Sequence, residues 1–313
     1  MGDLMSSRSS TILSVVIVNW NSGLQIKGCI ESLPTQYPVI VVDNASTDGS
    51  PEHVAEIPAV TLIRSDKNLG FGVACNLGGR HAKSEYLLFL NPDAAVYTGT
   101  LEKALAYMQD PAHADVGICG VQLVDESGHV SRSCARFPTP LGFAAHAFGL
   151  DKLIPRLGHF MAEWPHDSNR DVDHVIGAFY MVRRELFESL DGFDERFFVY
   201  LEDLDLSCRA RQAGWRSVYL ADVQAFHAGG GTSNQVKARR LFYSLRSRLL
   251  YAFKHFSWAG AMLVFLFALL IEPFSRSALA IARRSWPFFK ETWHGYAMLW
   301  RWLPQWWFKG VTR

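Results

Sequence analysis

The stretch LLFLNPDAAV, Leu87 to Val96, closes an apolar run on a single carboxylate, Asp93. The run is apolar enough to be a buried strand. An acid just past the carboxyl end of a parallel strand in an open α/β sheet stands where such sheets bind ligands, which makes Asp93 a candidate for metal or phosphate work. Two earlier stretches, VVIVNWN (Val15 to Asn21) and VIVVDNASTDGS (Val39 to Ser50), repeat the pattern of a β-branched run ending in polar residues and a turn. Asn19, Asp43 and Asp93 are therefore expected along one edge of one sheet. Farther on, GFDERFFVYLEDLDLSCRARQAGW (Gly192 to Trp215) reads as an aromatic loop followed by a helix that opens on Glu202, Asp203 and Asp205. Acids there complement the helix dipole. Phe197, Phe198, Tyr200 and Leu201 would also surround them with apolar groups and raise a carboxylate toward the working range of a general base. His227, in VQAFHAGGGTS (Val223 to Ser233), precedes three glycines and is a candidate metal ligand.

These residues need a scaffold, and the periodicity supplies one. Strands are expected at 14–19, 39–43, 60–65, 85–91 and 116–123, alternating with helices near 23–33, 51–57, 71–83 and 98–109. This alternation implies an α/β fold, a mostly parallel sheet with helices on both faces. The loop Asp43 to Ser50 is rich in turn formers. In NLGFGVACNLGG (Asn68 to Gly79), Gly70 and Gly72 at a helix start allow close backbone approach to a ligand, and amides there suit a phosphate. The full dinucleotide fingerprint and a Walker lysine are both missing, so neither NAD nor ATP hydrolysis is favoured.

At 313 residues and 49% hydrophobic content the chain can bury one domain of roughly 230 residues plus an appendage. The net charge of +1 hides a split: residues 237–313 carry thirteen Lys or Arg against two acids, a balance of +11, which leaves −10 for residues 1–236. Five scattered cysteines without CxxC spacing argue for a reducing compartment and against zinc or a disulfide framework. No secretory signal is read at the start, so the catalytic part is expected in the cytosol, and no nucleic-acid partner is expected. Lys237 to Phe256 has the pattern of a basic amphipathic helix, and Phe256 to Ile271 is a run of sixteen uncharged residues. That run is just short of the roughly 20 needed to span a bilayer, which leaves a re-entrant or in-plane helix and a true span both open. Arg283, Arg284 and the tryptophans from Trp286 to Trp307 have the composition of a membrane interface. The alternatives are a core helix completing the domain or a dimer interface.

Taken in order, VVIVNWN, VDNASTDGS, NLGFGVACN, LFLNPDAAV, VIGAFYMVRRELFESLDGFDERFFVYLEDLDLSCRARQAGW and FHAGGGTS resemble the family-two inverting glycosyltransferases of the GT-A fold. The likeness is greatest to their bacterial rhamnosyltransferase-like branch, and it covers about residues 12–235. It implies a GT-A domain at 12–235 with an open, mostly parallel twisted sheet, a disordered tail at 1–11 and a membrane-associated helical region at 236–313. It assigns Asn19, Asn21 and Asp43 to the floor of the nucleotide pocket, continued by Asn68, Gly70 and Asn76. NPD, Asn91 to Asp93, stands where the family commonly has DxD. One carboxylate is missing, so Mg²⁺ or Mn²⁺ would rest on Asp93, His227, the donor diphosphate and waters, an arrangement magnesium tolerates.

By the same resemblance Asp203 is the catalytic base, with Glu202 as the alternative. Gly177 and Ala178 shape the acceptor site, and Arg183 or Arg184 could meet an acceptor phosphate, the alternative for each being an ordinary surface residue at a helix start. The donor implied is dTDP-L-rhamnose, with UDP-sugars as the alternative. The acceptor is a polyprenyl-diphosphate-linked or other envelope saccharide, met at the cytoplasmic face of the inner membrane by a peripheral or monotopic enzyme. A homodimer is left open. A sugar-phosphate nucleotidyltransferase would show an Arg- and Lys-bearing glycine loop near the first strand, where this chain has NWNSG. A non-catalytic sugar-nucleotide-binding scaffold is the third reading, and donor turnover by the purified protein separates it from the others.

Overall fold

Every residue of the first two strands is buried, because each is a continuous apolar run without alternation and so takes a central place with helices on either face. The computed structural model describes residues 11–229 and 237–312. The first half alternates as the periodicity requires: β1 (Leu13–Asn19), α1 (Gln25–Glu31), β2 (Val39–Asp43), α2 (Ser50–Ala55), β3 (Val60–Arg64) and α3 (Phe71–His81). It continues with β4 (Tyr86–Leu90), β5 (Ala94–Val96), α4 (Thr100–Gln109) and β6 (Val116–Val124). After β7 (Cys134–Ala135) comes an excursion that holds α5 (Pro140–Phe148) and two short 3-10 turns. The chain returns through β8 (Arg170–Val172), β9 (His174–Val175) and β10 (Phe179–Arg183) to α6 (Arg184–Ser189), α7 (Glu202–Gln212) and β11 (Arg216–His227).

The main sheet runs β3-β2-β1-β4-β10-β6-β11-β5, with β8 also on β11. Strands β1, β2, β3, β4, β6 and β11 share one direction, and β5, β8 and β10 run against it. Asn19 and Asp43 are register partners at the carboxyl ends of β1 and β2, and the loop after β4 brings Asp93 to the same edge. β11 then lays His227 opposite Ala94. One apolar core fills each face of the sheet. All five cysteines are free and buried, as core fillers would be.

The C-terminal part is helical: α8 (Lys237–His255), α9 (Trp258–Leu266), a π-helical turn, α10 (Glu272–Ala282) and α11 (Trp286–Lys309). From Trp258 to Ala282 the helix is continuous for 25 residues, long and apolar enough by length and composition to cross a membrane. The expected sixteen-residue run is thus the first part of a longer element. A third apolar core mixes Leu245, Leu249 and Tyr251 of α8 with Phe197 and Leu204 of the preceding segment. A boundary at residue 235 or 236 therefore does not separate two independent cores. Residues 1–10, where the disordered tail is expected, and Gly230 to Ser233 of the glycine-rich segment lie outside the described residues.

Candidate active site

The tips of β1 and β2 are tied into one polar knot. Asn19, fully buried, donates from Nδ2 to Asp43 Oδ1 at 2.8 Å and to Ser50 Oγ at 2.8 Å, and its Oδ1 accepts from the Ser22 hydroxyl. Asp43 Oδ2 accepts from the Ser46 amide at 3.3 Å. Asn21 takes a positive φ of 50° and accepts the Thr47 amide at 2.7 Å, which fixes the turn-rich loop after β2 over the end of β1. Two residues of this knot, Ser46 and Ser50, were read in the sequence only as turn formers.

The next segment is tied to the same edge through Asn44, which sequence reasoning passed over. Its Oδ1 accepts the Leu69 amide at 2.7 Å, and its Nδ2 reaches Asn68 Oδ1 at 3.0 Å. Gly70 has φ +84°, and a Cβ there would collide with the Phe198 carbonyl oxygen. The close approach that the glycine permits is thus to the chain's own loop. The Leu69, Gly70 and Phe71 amides are all taken, by Asn44, Asn68 and the Phe198 carbonyl at 2.7 Å. This corrects the expectation that they are free to cradle a phosphate. Asn76 likewise departs from its assignment to the nucleotide pocket. It is buried in α3 with both ends of its amide on the Phe193 backbone, at 2.8 Å each, and latches the Gly192 turn.

That latch and Gly70 together fix the loop leading to α7. Tyr200 and Leu201 both have positive φ, 70° and 65°, a conformation costly for side chains of that size. The strained corner turns the chain so that Glu202 and Asp203 point to different surroundings. Glu202 is buried beside Gly72, and its Oε2 has no hydrogen-bond partner among the described residues. Burial, then the charge of Asp203, pushes its carboxyl well above the ordinary range. Asp203 keeps 18% of its side chain accessible. Its Oδ2 accepts the Gly177 amide at 2.8 Å with His174 Nε2 at 3.6 Å, and its Oδ1 accepts the Leu204 amide at 2.8 Å. Burial raises this carboxyl too, but His174 and the two amides outweigh it and the net shift is downward. The apolar loop therefore lifts Glu202, while Asp203 stays ionised. Gly177 stands directly on the carboxylate, since a Cβ there would lie 3.1 Å from Oδ2. Ala178 is buried and accepts the Asn91 amide at 3.0 Å, joining β10 to the NPD loop.

At the NPD loop, Asp93 Oδ1 and His227 Nε2 are 3.3 Å apart, each side chain roughly one-tenth accessible, and the Ala228 amide donates to the Asp93 carbonyl. Two residues far apart in sequence are thus brought together as expected. No third His, Cys, Asp or Glu joins them among the described residues. Arg183 and Arg184 do not come to this edge. β10 runs antiparallel to β4 and sets Arg183 against Tyr86, at the opposite end of the sheet. There Arg183 donates to the Val116 and Met108 carbonyls and the Tyr86 hydroxyl, and Arg184 to the Ser84 carbonyl and Glu188. Both are structural clasps, and the expected acceptor-phosphate contact is overturned by strand direction.

The glycosyl transferase family 2 model matches residues 14–190. The N-acetylglucosaminyl-diphospho-decaprenol L-rhamnosyltransferase of Mycobacterium tuberculosis is 31% identical over 272 residues, 80% of this chain and 88% of that protein. This chain belongs to glycosyl transferase family 2. The rhamnosyltransferase WbbL of Escherichia coli K12 is 29% identical over 226 residues, 68% of this chain and 81% of its own length. Among solved structures, the mannosyltransferase PcManGT of Pyrobaculum calidifontis, in complex with GDP-Man and Mn²⁺, superposes with a TM-score of 0.54 at 22% identity, over 93% of this chain and 81% of that one. The fold is therefore GT-A, and the protein is a glycosyltransferase.

In this glycosyltransferase α7 is also held from the C-terminal part, which the sequence did not disclose. Asp205, with no accessible side chain, receives Arg209 at 2.8 Å, Lys254 at 2.6 Å and His255 at 2.7 Å. Lys254 also reaches Asp194 at 2.6 Å. Burial lowers His255, but the hydrogen bond to Asp205 more than reverses this and sets it at about 9, so it is charged at neutral pH. His174 was missed as well. Its Nδ1 meets Ser207 Oγ at 2.9 Å, which meets the Tyr180 hydroxyl at 3.0 Å, a buried chain that orients the ring toward Asp203.

Proposed function

We propose that the enzyme transfers L-rhamnose with inversion from dTDP-L-rhamnose to a polyprenyl-diphosphate-linked saccharide in cell-envelope polysaccharide synthesis. The observation that carries the mechanism is a single accessible carboxylate, Asp203, fixed by two backbone amides and kept ionised beside a glycine. The sugar and the acceptor class follow the name of the Mycobacterium tuberculosis relative, and the dTDP carrier follows the family resemblance of the sequence motifs. Asp203 takes the proton of the acceptor hydroxyl as the oxygen bonds to the anomeric carbon. The bond from that carbon to the diphosphate oxygen breaks on the far side, and its electron pair leaves with the nucleoside diphosphate. One base and one displacement invert the configuration.

Asn21 and Asp43 line the nucleotide end, held by the fully buried Asn19 beneath them, with Asn68 and the Asn91 loop beside them. Asp93 and His227 would hold Mg²⁺ or Mn²⁺, and a two-ligand set suits a hard cation that takes its other positions from the donor diphosphate and water. When bound, such an ion offsets the negative charge that builds on the leaving diphosphate. The lipid-linked acceptor in the relative's name and the basic, tryptophan-rich C-terminal part support a peripheral or monotopic enzyme on the cytoplasmic face of the inner membrane.

The test is transfer by the purified full chain to a short-chain polyprenyl-diphosphate N-acetylglucosamine, with dTDP-L-rhamnose or UDP-N-acetylglucosamine as donor and Mn²⁺ present or chelated. Cation-dependent product from dTDP-L-rhamnose alone is expected. Product from the UDP donor alone overturns the donor assignment, and chelation without effect overturns the cation.

A further inference from the structure

The helix from Trp258 to Ala282 is built inside out for a protein in water. Its inner side carries Glu272, only 1% accessible, paired with Arg248 of α8 and with Arg276. Its outer side presents Trp258, Leu266, Leu270, Phe274 at 63% and Ile281 at 69% accessibility. Soluble proteins put carboxylates out and large apolar side chains in, and a contiguous reversal marks an interaction surface.

The surface does not end with the helix. α5 packs alongside, with Phe148 edge-on to Phe267 at 5.5 Å and the Ser275 hydroxyl on the Ala147 carbonyl. From this catalytic-domain excursion Leu141 and Leu153 project at 74% and 79% accessibility. Leu153 and the exposed Ile154 lie between two exposed cations, Lys152 and Arg156, and the far end of the helix runs into exposed Arg283 and Arg284. Apolar side chains rimmed by cations fit the headgroup region of an anionic bilayer, where the apolar groups enter the acyl boundary and the cations meet phosphates. At its base the excursion is tied to the active site: the Phe137 amide donates to Asp173, the neighbour of His174, three residues before Gly177.

We propose that the α5 excursion, around Leu141, Leu153 and Ile154, joins the outer face of the Trp258–Ala282 helix in one surface that seats the enzyme on an anionic lipid bilayer. The proposal rests on the membrane placement above and deepens it by giving the catalytic domain its own lipid contact, next to the strand that positions the base.

Flotation of the full chain with phosphatidylglycerol-containing vesicles tests it, using Leu153→Glu with Ile154→Glu, and separately Phe274→Glu. All three positions are exposed, so melting temperatures should match wild type. Each variant is expected to lose about tenfold or more in vesicle partition, and to lose transfer to a vesicle-borne acceptor while keeping transfer to a soluble short-chain one. Loss with Phe274→Glu alone confines lipid contact to the helix and overturns the role of the excursion. Undiminished flotation of both variants overturns the surface altogether. Disruption of a dimer in lipid-free light scattering, with flotation intact, assigns the face to a second copy instead. Flotation is read without turnover, so failure of the proposed transfer reaction is distinguishable from failure of this surface.

Discussion

Replacing Asp203 by Asn is expected to lower kcat about 10²- to 10⁴-fold and leave donor affinity at the wild-type level. Asparagine keeps the volume, and its one carbonyl oxygen can accept either the Gly177 or the Leu204 amide, which sit on different oxygens of Asp203, while the donor edge at the ends of β1 and β2 is untouched. What it cannot do is take a proton. Glu202→Gln is the internal control. Glu202 is buried with its carboxyl raised well above the ordinary range by burial and by Asp203, and its Oε2 has no hydrogen-bond partner among the described residues, so glutamine is nearly isosteric and breaks no bond there. A small effect on kcat is expected. Stopped-assay turnover with titration calorimetry of the donor reads both variants. Wild-type turnover in Asp203→Asn with inactivity in Glu202→Gln would exchange the two roles.

Ending the chain after Gln235 is expected to abolish cooperative folding of what remains. A separable tail would leave a more soluble domain, but the core packs against the helices that the deletion removes. Asp205, without accessible surface, would lose Lys254 and His255, and a buried charge left short of partners costs about 3–5 kcal/mol. The fully buried Leu245, Leu249 and Tyr251 would also vacate the core around Phe197 and Leu204, with about 1.5–3 kcal/mol lost for each such side chain. Together these terms rival the roughly 5–15 kcal/mol that holds a whole domain folded. Calorimetric melting of residues 1–235 beside the full chain measures it. A cooperative transition within a few degrees of wild type would restore the tail to a dispensable anchor.

The sheet edge was legible because its strands are continuous apolar runs that end in polar residues, a pattern set locally by burial on both faces. Asp93 was legible for the same reason, as the carboxylate just past such an end, and His227 was legible from the glycine-rich segment that follows it. Strand direction was not. VRREL gives no sign that β10 runs antiparallel to β4, and that reversal alone carries Arg183 and Arg184 to the far end of the sheet. The GxG at Gly70 announced a close backbone approach correctly but not its partner, since Phe198 lies 128 residues on along the chain. His174, Lys254 and His255 stand 29, 51 and 52 residues from Asp203, and nothing near them in sequence marks their destination. The adjacent acids Glu202 and Asp203 show the same limit. Their types are alike, and only the corner at Tyr200 and Leu201 gives one a dry pocket and the other amides and a histidine.

The acid limb of the pH dependence of kcat/KM reads the identity and state of the base most directly. As the proposed base, Asp203 would act ionised, and it is held below the ordinary carboxylate range, so transfer should stay level down through that range and fall only as pH drops below it. His174 contributes to that depression, and His174→Phe should move the limb to higher pH. A wild-type limb lying well above the ordinary carboxylate range, and unmoved by His174→Phe, would place the reacting proton on the raised Glu202 and contradict Asp203 as the base.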